Sequence, residues 1–413
     1  MTDFHRNNRE KLLKNMEEGS IILAFAGKAP HRSRDAYYPF EVNKNFFYLT
    51  GVDRENIIYM GVKHSDSTEE FLFIEKSDPV LEKWVGKKLT KEDATKITGI
   101  SNVAYINDLK SKINNLLQST GRSIDKIYLD MFVNSYDDSP SPGIAHANKF
   151  KEKYPHVTIR DFSKSIAAQR FIKSDSEIEN MKKAIDITNE TFKLLLSKSS
   201  SCSYEHQLEA YLDFSFKLHG ADHAFDTIAA SGKNATILHY VENNAKIPED
   251  SLVMFDFGAR WNYYCADISR TFPAKGKFSQ RQAAVYNVVL KALKETTKIM
   301  KPGALMKDVN EFAKNLLAEG AMELGLIKEK SEIDKYYYHG IGHPLGLDTH
   351  DVGDRDMTLQ PGMVYTCEPG LYIEEEGIGV RIEDDILITE SGNINLSESI
   401  IREIEDIENF MNN

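Results

Sequence analysis

Asp256 and Asp267 lie in SLVMFDFGA and YYCADISRTF, segments that otherwise read as two apolar β-strands joined by a short turn. A two-residue turn at Trp261 and Asn262 would set the two acids directly across from each other. Opposed side chains sit about 4.5–5.5 Å apart at Cβ, where like charges destabilise a sheet. Burial would force one of the acids to keep its proton. A cation between them reverses the sign, because two such carboxylates can each ligate one of two metal ions, or bridge both. A strand surface facing solvent would carry the same pattern.

Downstream residues weigh toward metal. YYYHGIGHPLGLDTHDVG (336–353) holds His339, His343 and His350, with Gly340, Gly342 and Gly346 to let backbone approach a ligand. CEPGLYI (367–373) places Glu368 before a Pro-Gly turn. GVRIEDDILIT (379–389) reads as a strand, and a period of 2 puts Arg381 and Glu383 on one face. Carboxylate oxygens with one imidazole suit Mn2+, Co2+, Fe2+ or Zn2+. Cys202, Cys265 and Cys367 have no spacing for a thiolate zinc site.

A chain of 413 residues is long enough for two domains with separate cores. The first reads as mixed α/β over residues 1–165. It opens with a helix near 6–17, and its apolar runs IILAF, FFYLT, NIIYMGV, FLFIE and KIYLD are expected to be strands, with helices around 91–97 and 108–118. The second, 166–413, opens with a capping box at Ser174 and Glu177. Two helix pairs are expected there, 175–197 with 204–219 and 280–300 with 305–325, each leading into strands. This points to a pseudo-symmetric α+β sheet with helices on one face.

A net charge of -12 and a pI near 5.6 argue against a nucleic-acid partner. No apolar run approaches the ~18 residues of a membrane span. The charged N-terminus lacks the apolar core of a secretion signal. Three cysteines without a paired motif suit a reduced, cytoplasmic protein.

These motifs, in this order, resemble the pita-bread metallopeptidases, in the branch of aminopeptidase P and Xaa-Pro dipeptidase. FDFGARWNYYCADISRTF resembles the family's two-aspartate hairpin, HGIGHPLGLDTHD its histidine motif, and CEPGLYI and RIEDD its glutamate motifs. GKAPHRSRDAYYPFEVNKNFFYLTGVD resembles the creatinase-like N-terminal domain of aminopeptidase P, departing from it at Glu41, where a basic residue is expected.

The resemblance implies a dinuclear centre held by Asp256, Asp267, His343, Glu368 and Glu383, with Asp267 and Glu383 bridging and Mn2+ the first choice of metal. It implies that His239, His350 and Glu368 serve catalysis beside the scissile bond, and that His339 and Arg381 shape a proline pocket. Taken alone, Arg381 reads equally as a neutralising partner of the carboxylates, and His339 as a strand residue against an apolar wall. The expected substrates are peptides with proline second, and the expected assembly is a homodimer or homotetramer. A strict Xaa-Pro dipeptidase, a creatinase-like hydrolase and a non-catalytic binding module are the alternatives. The last two lose metal ligands that are all present here.

Overall fold

The computed structural model describes residues 2–121, 123–353 and 356–412, which form two compact units divided between Gln169 and Arg170. The first unit is built on a six-stranded mixed sheet of β1 (Ser20–Phe25), β2 (Ile58–Lys63), β3 (Thr68–Ile74), β4 (Val103–Tyr105), β5 (Lys126–Leu129) and β6 (Thr158–Asp161). Its order is β4-β3-β2-β1-β5-β6, with β1, β2 and β3 antiparallel and the outer pairings parallel. Ile21, Leu23, Met60, Phe73 and Ile127 pack its core with Leu109, Ile113 and Phe150 from the helices.

One expected strand is a helix. FFYLT lies in Lys44–Thr50, where the Asn43 side chain accepts from the Phe46 N–H and Gly51, at φ 68°, ends the turn. All five residues of FFYLT are buried. An apolar run buried on every side carries no periodicity, so only the capping residues mark it as helix. The opening helix spans Thr2–Lys14, starting four residues before its expected beginning.

In the second unit two helix pairs, Asp175–Ser199 with Glu205–Leu218 and Gln280–Ile299 with Met306–Glu323, each pack together. Their apolar faces meet one continuous core, in which Phe192, Leu208, Val289 and Leu317 join Phe255, Phe272, Val380 and Ile386 of the strands. Those strands are β7 (Asp222–His223), β8 (Ile228–Ser231), β9 (Leu252–Phe257), β10 (Ala259–Trp261), β11 (Tyr264–Cys265), β12 (Ile268–Pro273), β13 (Val364–Cys367), β14 (Gly370–Ile373), β15 (Ile378–Arg381), β16 (Asp384–Ile388) and β17 (Asn393–Asn395). They pair as β8-β9-β12, β11-β10-β7, β13-β16-β17 and β14-β15. Glu177 ties the first helix to the hairpin. It accepts from the Ser174 N–H at 2.8 Å and from the Tyr264 hydroxyl at 3.0 Å.

The hairpin carrying the aspartates differs from the expected register. The turn residues are Asn262 and Tyr263, both at positive φ (48° and 70°), so Trp261 pairs with Tyr264 and Asp256 with Ser269. A two-residue hairpin turn of this kind needs left-handed backbone at both central positions, and asparagine tolerates it far better than tryptophan. The shift keeps the side-chain parity, so Asp267, two residues before Ser269, shares a face with Asp256 on the diagonal. In the observed register Asp267 lies across from Gly258. A Cβ on Gly258 would come within 1.8 Å of the Ala266 carbonyl oxygen, so only glycine admits this approach.

Candidate metal centre

Each acidic side chain reaches the site from a strand end. Asp256 is near the end of β9, and Asp267 immediately precedes β12. Glu383 lies between β15 and β16, and its N–H donates to the Ser269 carbonyl at 3.0 Å, which pins it against the hairpin. Glu368, between β13 and β14, donates its N–H to the Ile341 carbonyl at 2.8 Å. His343 is fixed to β13 by two bonds, its N–H to Thr366 Oγ1 at 3.1 Å and the Thr366 N–H to its carbonyl at 3.0 Å. Gly342 permits this contact, since a Cβ there would lie 2.1 Å from the Thr366 oxygen.

Ligand atoms of Asp267, His343 and Glu383 lie within 4.8 Å of one another, and all three residues are buried. His343 Nε2 is 3.4 Å from Asp267 Oδ2 and 3.8 Å from Glu368 Oε1. Its Nδ1 lies 3.0 Å from the Pro344 carbonyl, which can only accept, so Nδ1 carries a proton and Nε2 is the nitrogen that faces the carboxyl groups. Burial, reinforced by Asp256, Asp385 and Glu368, pushes the Asp267 carboxyl well above its usual range. Burial and the neighbouring Asp267, Glu368 and Asp256 do the same to Glu383.

Arg381 is the local cation. Its Nη2 donates to Asp256 Oδ2 at 2.7 Å, its Nη1 to the Tyr372 hydroxyl at 3.0 Å, and its Nε to Ser269 Oγ at 2.7 Å. The Ser269 hydroxyl in turn donates a hydrogen bond to Glu383 Oε2 at 2.8 Å. The other Asp256 oxygen, Oδ1, is buried without a hydrogen-bond partner. Beyond the effect of burial, one guanidinium does not offset four carboxyl groups, which is why Asp267 and Glu383 are pushed toward their protonated forms in the absence of a cation. A carboxylate oxygen buried unpartnered in a cavity that Asp267, His343, Glu368 and Glu383 also line is what a divalent cation would satisfy, so the donor set fits a metal centre.

The three acids of RIEDD separate by strand geometry. Glu383 enters the cluster, Asp384 pairs with the buried Arg270 at 2.6 Å, and Asp385 accepts the Asp267 N–H at 3.3 Å. The cluster forms one wall of a cavity of about 470 Å³, which Phe225, Ile228, Leu238 and Val241 also line. His239, His339 and His350 open onto it. The His350 ring meets that of His343 edge-on, centroids 4.2 Å apart. His339 donates from Nδ1 to the Gly340 carbonyl and accepts the Tyr372 hydroxyl at Nε2, both at 2.8 Å. Burial lowers its pKa to about 4, so the ring is neutral. The structure thus brings to one cavity all nine side chains singled out in the sequence. Tyr372, Ser269 and Thr366, which hold those residues in place, went unrecognised. Ser269 had a signal, since it lies two residues after Asp267 and so on its face.

Residues 179–390 match the Metallopeptidase family M24, and residues 5–125 match the aminopeptidase P N-terminal domain. The Xaa-Pro aminopeptidase of Escherichia coli is 33% identical over 99% of this chain and 97% of its own. A solved Bacillus anthracis structure, provisionally described as an aminopeptidase P, superposes with a TM-score of 0.96 at 50% identity, covering 100% of this chain and 98% of that one. The E. coli aminopeptidase P with the inhibitor Pro-Leu superposes with a TM-score of 0.91 at 32% identity, covering 100% and 98%. Fold and site together define a metal-dependent aminopeptidase with the pita-bread architecture. Both domains find their counterparts in a single group of relatives. The chain belongs to metallopeptidase family M24, in its aminopeptidase P branch.

Proposed function

We propose that the enzyme hydrolyses the Xaa-Pro bond at the N-terminus of peptides, using two divalent ions, Mn2+ first among them. The observation that carries the reading is the buried convergence of Asp267, His343 and Glu383, with the unpartnered Asp256 oxygen beside Arg381. Asp256 would hold one ion, His343 and Glu368 the other, with Asp267 and Glu383 shared. When bound, the ions would supply hydroxide from a shared water and polarise the scissile carbonyl. Glu368 would carry a proton toward the leaving nitrogen. His350, which lines the cavity against the His343 ring, would donate to the oxygen on which charge develops. Arg381 would position Asp256 through Nη2 and, lining the cavity, would help form the proline pocket.

Selection for proline follows from the leaving nitrogen being tertiary, with no N–H to offer. A site for it needs shape and an apolar wall. His339 supplies one, because its two nitrogens are satisfied internally and its neutral ring presents a flat face beside His239. The related enzymes named for Xaa-Pro substrates, and the Pro-Leu complex of one of them, support this specificity. We further propose a homodimer or homotetramer, checked by light scattering, and a reducing cytoplasmic setting, which three buried cysteines outside any disulfide suit.

Product analysis by mass tests the activity. The manganese-loaded enzyme should release the first residue from Xaa-Pro-Yaa tripeptides. Cleavage of Xaa-Pro dipeptides alone would make it a dipeptidase instead.

A further inference from the structure

Glu205 is the first residue of the helix Glu205–Leu218, outside every site motif, yet it is fully buried. Its Oε1 accepts from the Ser231 N–H at 2.8 Å, the Ser231 hydroxyl at 2.7 Å and the Asn234 amide at 3.1 Å. Its Oε2 accepts from the Tyr240 hydroxyl at 2.8 Å and the Ala245 N–H at 2.9 Å. All five donors are neutral. A buried carboxylate stabilised only by neutral donors is a costly way to fill space, and an apolar side chain would serve packing as well. What it does achieve is geometric. The five donors come from both sides of His239, in a segment with only one short helical stretch, Gly232–Thr236. His239 itself stays exposed to the cavity.

The far end of the segment is held by a second device. Asn243, at φ 46° and fully buried, accepts the Ala229 N–H and donates to the Thr227 carbonyl, both at 2.9 Å. Tyr240 packs in the same apolar cluster as Tyr372, the residue that joins Arg381 to His339. The His239 segment is thereby referenced to the same frame as the carboxylate cluster.

We infer that Glu205 is a positioning residue for the hydrolytic reaction, acting by fixing the backbone that presents His239 to the substrate. This rests on the reading of His239 as a substrate-contacting group. The carboxylate is required as such, because every partner donates. An amide at this position turns its own N–H toward one set of donors, and the Ala245 or Ser231 backbone N–H cannot reverse its role.

A double-mutant cycle on a Xaa-Pro-Yaa peptide tests it, with Glu205→Gln, Tyr240→Phe and His239→Ala in the manganese-loaded full chain. Displacing a contacting group by about 1 Å costs ~100-fold in turnover, so Glu205→Gln should lower kcat/KM by roughly 10- to 100-fold, with metal content unchanged. In the His239→Ala background the same substitution should cost less than about 2-fold, since the group it positions is gone. Tyr240→Phe removes one donor without creating a clash. It should show a smaller loss that also disappears in the His239→Ala background, which decides the matter even if Glu205→Gln does not fold. An effect that persists undiminished in that background, or loss of metal in either variant, would overturn the positioning role alone. A His239→Ala enzyme with wild-type turnover would overturn the role of His239 and the inference with it.

Discussion

Replacing Asp267 by asparagine should stabilise the metal-free protein and at the same time remove most of what metal does for it. Asp267 and Glu383 carry oxygens within 4.8 Å of each other in a buried cluster. At an effective dielectric of ~20, two unit charges 4.8 Å apart repel by about 3.5 kcal/mol. That repulsion sets the scale of the gain, equivalent to ~7–14 °C in Tm for a unit of this size. The wild type already relieves part of it by taking up protons, because the carboxyls of Asp267 and Glu383 are held well above their usual range by burial and mutual repulsion. A raised folded-state pKa means stability that is present below ~4 and is lost as pH rises through the folded value. The advantage of the variant should therefore be small at pH 5 and grow to several degrees by pH 8 in chelator. With Mn2+ added, the wild type should gain stability by mass action while the variant gains little, and its turnover should be abolished. Thermal unfolding across pH, with chelator and with Mn2+, reads all of this. A variant less stable than wild type in chelator at pH 8, yet with a full metal-induced gain and normal turnover, would refute the reasoning.

Three further outcomes follow from particular contacts. Arg381→Lys keeps the charge but loses the fork that reaches Asp256, Ser269 and Tyr372 together, so activity or metal affinity should fall ~10- to 100-fold, read by titration and turnover. Gly258→Ala places a methyl 1.8 Å from a backbone oxygen and should cost about 3 kcal/mol or more in chemical denaturation, with weakened metal binding because Asp267 is displaced. Burial alone would raise the Asp351 carboxyl, but Arg170 and Lys173 outweigh it and hold it below its usual range. Its stabilising contribution is present above ~4 and lost as pH falls through the depressed value, so Asp351→Asn should flatten the acid side of the stability profile.

The candidate site was more legible in the sequence than the scaffold that aims it. The carboxylates Asp256, Asp267, Glu368 and Glu383 stand out by residue type and context, while the choice of His343 among three nearby histidines came from the family resemblance; all five line one cavity. GVRIEDDILIT was expected to be one strand, but it is two, β15 and β16, with Glu383 in the break between them, so Arg381 and Glu383 meet through Ser269 rather than by strand parity. The hairpin register was not legible, because the choice between Trp261-Asn262 and Asn262-Tyr263 depends on which residues accept left-handed backbone. FFYLT was misread as a strand because complete burial erases periodicity. Glu205 and Tyr372 were invisible for a different reason. Their partners lie about 9 to 40 residues away in the chain, and only the folded packing shows that a lone glutamate meets five donors.

The central claim is that side chains from separate strand ends converge on two cations. Anomalous scattering from crystals grown with Mn2+ tests it most directly. Two peaks are predicted, one among Asp256, Asp267 and Glu383, the other among Asp267, Glu383, His343 and Glu368. No metal peak inside this cluster, or full occupancy with Asp256 or His343 turned away from both ions, would contradict it.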